Sequence, residues 1–90
     1  MVVRVTVVDS FAAGELIRLL VQEVDAEQVR FEPDRQQVCV EIVKSPDQAI
    51  GRILSVVEAW LGDGGRAPTD VEIDEHRYVL GARQAVQEAL

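Results

Sequence analysis

Apolar residues in this chain recur with a period of two, then of about 3.6, and the two periods take turns along its length. That alternation restricts the chain to a mixed sheet-and-helix class more tightly than any other feature. Val3, Val5 and Val7 alternate with Arg4 and Thr6, which marks a strand with one buried face. The strand stops at Asp9-Ser10, a good helix N-cap pair. Ala13, Leu16, Ile17, Leu20 and Val24 then fall on one helical face, with Arg18 and Gln22 opposite and Leu19 and Val21 flanking the stripe.

Strand periodicity returns at Val29 and Phe31, in a segment short enough for a sheet edge, and again at Val38, Val40 and Ile42. Pro33-Asp34-Arg35 between them is turn chemistry, so the pair reads as a β-hairpin. Ser45-Pro46-Asp47-Gln48 is a helix start: Ser45 as cap, Pro46 in the first turn, Gln48 completing a capping box. The second helix carries Ile50, Ile53, Leu54, Val57 and Leu61 on one face and Trp60 at its rim. Gly62 closes it, and Asp63-Gly64-Gly65-Arg66-Ala67-Pro68 connects onward. Val71 and Ile73 face inward on a fourth strand, a fifth runs over 77–80, and residues 82–90 form a short helix with Val86 and Leu90 as its apolar contacts.

The expected order is β-α-β-β-α-β with a short strand and helix extension. The fold class is α+β: an antiparallel sheet of four to five strands with two helices on one face. Ninety residues make one domain, with its core over about 2–74 and the extension over 75–90. The opposite sheet face then holds Val8, Cys39 and Val43 among charges. With Trp60 on the helix rim, these four residues are the expected interaction surface.

Charge and composition narrow the partners. Sixteen acids against nine scattered bases give a net charge of −7, which disfavours nucleic acid and anionic membranes as partners. No apolar run reaches the length of a membrane span, and the start has no signal-peptide pattern, so a cytoplasmic location is expected. Cys39 is the only cysteine, which rules out an intrachain disulfide and thiolate-rich zinc sites. Eight of the nine bases are Arg and Asn is absent, the residue usage of a GC-rich, bacterial source.

Candidate chemistry reads as structure at each position. His76 beside Asp74 and Glu75 is a turn histidine, because adjacent side chains diverge and do not converge on a metal. Ser10 and Ser45 are caps. The acids Asp70, Glu72 and Asp74 read as a solvated strand face that protects against edge pairing. The glycine-rich run after the second helix lies on the wrong side of a helix to cradle phosphate. No catalytic, metal or cofactor-binding residue is assigned, and no cofactor is expected.

Over about 2–74 the element order resembles the ferredoxin-like superfold, which hosts many unrelated functions. The loop Asp9-Ser10-Phe11-Ala12-Ala13-Gly14 lacks the arginine of acylphosphatases and the paired cysteines of metal-chaperone domains. Gln37-Val38-Cys39-Val40-Glu41 lacks the aromatics of RNA-recognition motifs. Asp9, Gly14, Leu16, Leu19 and Leu20 resemble the first turn and helix of ACT regulatory domains. That resemblance implies a small ligand held near Asp9, Ser10 and Gly14. In size, composition and two-helix plan the chain also resembles effector-associated modules of actinobacterial signalling systems. The expected function is a non-enzymatic protein-interaction or assembly module, an accessory of a larger signalling system, partnered by another protein or by a second copy as a homodimer. The alternative is an ACT-like small-ligand-binding regulatory domain.

Overall fold

The computed structural model describes residues 1–24, 28–63 and 67–81. They form β1 (Val2–Thr6), α1 (Ser10–Glu23), β2 (Gln28–Glu32), β3 (Gln37–Glu41), α2 (Pro46–Asp63), β4 (Thr69–Ile73) and β5 (His76–Leu80). The strands make one antiparallel sheet in the order β2-β3-β1-β4-β5. The described residues thus form a small α+β fold with five strands and two helices. The short helix expected over 82–90, with Val86 and Leu90, lies outside the described residues, as do Gly64, Gly65 and Arg66 of the connector.

Strand alternation puts Val3, Val5, Val38, Val40 and Val71 on one face, all fully buried, and the register aligns them across β3, β1 and β4. The helices meet that face. Ala12, Ala13, Leu16 and Leu20 of α1, and Ala49, Ile53, Val57, Trp60 and Leu61 of α2, join the same apolar core. Val29, Phe31, Ile73 and Leu80 pack at its margin. The buried axis of α2 therefore runs through Ala49, Ile53 and Val57. Leu54 is only partly buried beside it, a shift of the helix phase from the face read in the sequence.

Local chemistry explains the ends of the elements. Asp9 is extended at φ −159°, and its Oδ1 accepts from the Ala12 amide at 2.8 Å, which makes it the N-cap of α1. Asp9→Ala should cost about 1 kcal/mol of stability, and Asp9→Asn much less, in a urea melt. At α2, Pro46 opens the helix as expected, but Ser45 does not cap it in the usual way. Ser45 sits at φ 48°, outside the extended conformation of an N-cap, and its carbonyl accepts from the Ala49 amide at 3.1 Å. The β2–β3 turn ends on Gln36 at φ 53°, whose carbonyl accepts from the Val7 amide at 2.8 Å. Asp74, at φ 55°, holds β1 with two bonds: its amide donates to the Val2 carbonyl at 2.9 Å and its Oδ1 accepts from the Val2 amide at 3.3 Å.

Candidate functional site: the helix-free sheet face

The face of the sheet that turns away from the core carries side chains of alternating charge. Cross-strand register lines up Arg30, Cys39, Arg4, Glu72 and Arg77 in one row over all five strands. Glu41 lies one step to one side, opposite Val2 and Gln28; Glu32 lies on the other, opposite Gln37. Arg30 reaches Glu32 and Glu41, each at 3.6 Å, and donates to Gln28 Oε1 at 2.8 Å; Arg4 Nε stands 3.9 Å from Glu32 Oε1. Arg4 and Glu32 are about a quarter exposed, so the charged layer is partly dehydrated there. Pairs at this exposure contribute order more than stability, roughly 0–1 kcal/mol each.

Cys39 sits at the middle of that row and is fully buried, although its strand position faces outward. Arg4 and Arg30 are its direct neighbours on the two flanking strands, and arginine stems shield apolar surface while their charged heads stay wet. Desolvation pushes the Cys39 thiol pKa up, while Arg30 and Arg4 pull part of that shift back. A thiol held protonated in this way is a poor nucleophile.

The patch expected from Val8, Cys39, Val43 and Trp60 does not assemble. Cys39 is buried at mid-sheet, and Trp60, only 6% exposed, belongs to the core. Val8 and Val43 are exposed, at 78% and 70%, but they stand at opposite ends of the sheet. Val8 follows the end of β1, while Val43 follows β3 at the end where the Ile42 amide bonds the Met1 carbonyl. The period of two assigns a face only inside a strand; past Thr6 and Glu41 the backbone turns and parity no longer places the side chain.

The Asp9, Ser10 and Gly14 loop is the start of α1. The Asp9 carboxylate is engaged as the cap, and a Cβ added at Gly14 would meet nothing within 4 Å, so that glycine makes no room for a close neighbour. The acids Asp70, Glu72 and Asp74 do not act as one face: Glu72 joins the charged row, Asp70 pairs with Val79 in register, and Asp74 binds Val2. His76 opens the edge strand β5 and is exposed. Among the described residues, no group of three or more His, Cys, Asp or Glu is placed to hold a metal ion, and no helix is long and apolar enough to cross a membrane.

Two hollows were not legible in the sequence. An open cleft of about 720 Å³ runs along α2 beside the end of α1, with Glu23 and Asp47 on its walls against Arg52. A smaller apolar cavity of about 170 Å³ lies where β1 ends and β4 begins, and Trp60 forms part of its wall. Both depend on how helices and strands meet in space, which periodicity does not report. Comparison with known proteins returns no matching family model, no matching curated protein and no matching solved structure.

Proposed function

We propose that this chain is a non-enzymatic assembly module on a ferredoxin-like plan, which pairs with a second copy of itself through the helix-free sheet face. The plan is supported by the element order together with the strand sequence β2-β3-β1-β4, to which β5 is added at the edge. The observation that carries the reading is the row Arg30-Cys39-Arg4-Glu72-Arg77 with Glu41 and Glu32 beside it. A face with both signs interleaved can meet its own copy with opposite charges opposed across a two-fold axis, the commonest symmetry of homo-oligomers. A small domain also gains stability from a bound partner by mass action. The ligand-binding alternative draws less support, because the carboxylate it would use already caps α1.

A contact of this composition is weak and salt-dependent. Sedimentation equilibrium at low ionic strength should show a monomer–dimer equilibrium that shifts to monomer in high salt. Glu41→Lys, at a half-buried position in an internal strand, should weaken dimerisation about tenfold, or roughly 1.4 kcal/mol, while loss of the pair with Arg30 lowers the monomer's melting temperature only slightly. A chain that stays monomeric at every concentration and salt tested would overturn the reading, as would a dimer indifferent to both Glu41→Lys and salt. A reproducible thermal shift with an amino acid or nucleotide would instead favour a regulatory ligand domain.

A further inference from the structure

We infer that the two copies meet across a two-fold axis that runs along the strands between β1 and β4, so that Arg4 of each copy faces the partner's Glu72. This register rests on the assembly proposed above and names the residues by which the helix-free face selects its own copy.

The charges on this face divide into two sets. Arg30 is already engaged, with Glu32 and Glu41 each at 3.6 Å and Gln28 Oε1 at 2.8 Å. Glu72 and Arg77 stand in the same row, and among the described residues neither forms an ion pair. Arg4 lies between the two sets. Its Nε is buried, stands 3.9 Å from Glu32 Oε1 and makes no hydrogen bond. A guanidinium carries five N–H donors, so Arg4 keeps donors for a carboxylate that arrives over the sheet.

Read from β2 to β5, the row is cation, thiol, cation, anion, cation. Few two-fold axes suit that order. An axis across the strands through the row lays each residue on its own copy, and moving it one step sets Glu72 on the partner's Asp70 or the partner's Asp74. An axis along β3 sets Arg30 on the partner's Arg4; along β1, Arg4 on the partner's Arg4; along β4, Glu72 on the partner's Glu72. An axis between β3 and β1 joins Arg30 to the partner's Glu72. It also opposes Glu32 to the partner's Asp70, because both acids lie two residues from the row on the same side. Axes nearer the sheet edges overlap at most two strands of each copy.

Between β1 and β4 the oppositions turn favourable. Arg4 meets the partner's Glu72 twice, once on each side of the axis. β3 then faces the partner's β5, which brings Arg77 of each copy over the partner's Cys39, beside the partner's Glu41. Four strands of each copy overlap, and the charges without a partner in their own chain find one in the other. Sheets stacked face to face lie about 10 Å apart with strands within about 30° of each other, a gap that an extended arginine and glutamate span together. Charge pairs of this kind fix register and reject wrong partners.

The test mixes two variants of the full chain. Arg4→Glu and Glu72→Arg each set like charges against each other in their own dimer. Each should therefore self-associate about tenfold or more weakly than wild type in sedimentation equilibrium at low ionic strength. Mixed in equal amounts, they should form a heterodimer, seen by native mass spectrometry, within about threefold of the wild-type affinity, because every facing pair is again arginine against glutamate. Positions 4 and 72 still carry like charges within each chain after mixing, so the recovery reports the contact between chains alone. Circular dichroism melts establish that each variant folds. If Arg4→Glu does not, Arg77→Glu and Glu41→Lys, at more exposed positions, repeat the mixing at the second contact with the same expectation. A mixture that associates no better than its components overturns the register, and a salt-dependent wild-type dimer then leaves the assembly itself standing. A wild type that is monomeric at every concentration and salt overturns both.

Discussion

Ile53→Asp is expected to abolish cooperative folding. Ile53 is fully buried at the centre of α2, in the same core as Val3, Val5, Val38, Val40 and Val57. The substitution removes roughly 1.5–3 kcal/mol of aliphatic burial. It also forces a carboxyl group into a site with no polar partner, which costs several kcal/mol more even after the group protonates. A domain of this size starts from the low end of the usual range of about 5–15 kcal/mol, so nothing remains to hold it together. The neighbouring change Leu54→Asp is the control. Leu54 is partly buried and can turn its new carboxylate to water, so that variant should still melt cooperatively at a lower temperature. Thermal melts followed by circular dichroism decide between the two. An Ile53→Asp melt near wild type, or a Leu54→Asp chain that fails while Ile53→Asp folds, would place the buried face of α2 elsewhere.

Cys39 should be almost inert to thiol reagents in the native protein. It is fully exposed only when the sheet opens, because Arg4 and Arg30 flank it on both neighbouring strands. If global unfolding is the route to the thiol, labelling by a maleimide slows on the order of 10³-fold relative to the chain in denaturant. The burial that protects the thiol also links stability to pH. The native thiol titrates above its ordinary value, so above about pH 8.5 the unfolded chain releases this proton first. The unfolded state then binds fewer protons than the native state, and stability falls as pH rises. The decline begins near the ordinary thiol value, about pH 8.5, and ends once pH has passed the raised native value. Paired urea melts of wild type and Cys39→Ala between pH 7 and pH 10 isolate this contribution. Equal pH slopes in the two proteins, or native labelling as fast as in denaturant, would show that the thiol is reached without opening the sheet.

The elements were legible because each announces its period locally. Val3-Arg4-Val5-Thr6-Val7 and Val38-Cys39-Val40 need no distant contact to declare which residues are inward, and Asp9 declares its cap by type and place. What periodicity assigns is a face, never a neighbour. The row from Arg30 to Arg77 exists only because β1 lies between β3 and β4 in one register, and no local pattern encodes that. Cys39 shows the same limit: its outward parity is a local property of β3, while its burial comes with arginines on two other strands. Phe11 escapes sequence patterning because a first-turn position is not fixed by the helical stripe. It is exposed at the same end of the sheet as the apolar cavity.

The central place of β1 has a consequence for the order in which the sheet can close. Val5 pairs with Val38 on one side and Val71 on the other, so both partners of the first strand come later in the chain, the second near its far end. A ribosome adds about 5–20 residues per second, so β1 waits seconds for β4 after it has been made. During that interval Val2-Val3-Arg4-Val5-Thr6-Val7-Val8 is an apolar, β-branched segment with one open edge, the kind that recruits other nascent chains. Its single charge is Arg4, set in the middle of the run. The guanidinium that later joins the charged row thus has an earlier task, in keeping a waiting strand from the wrong partner.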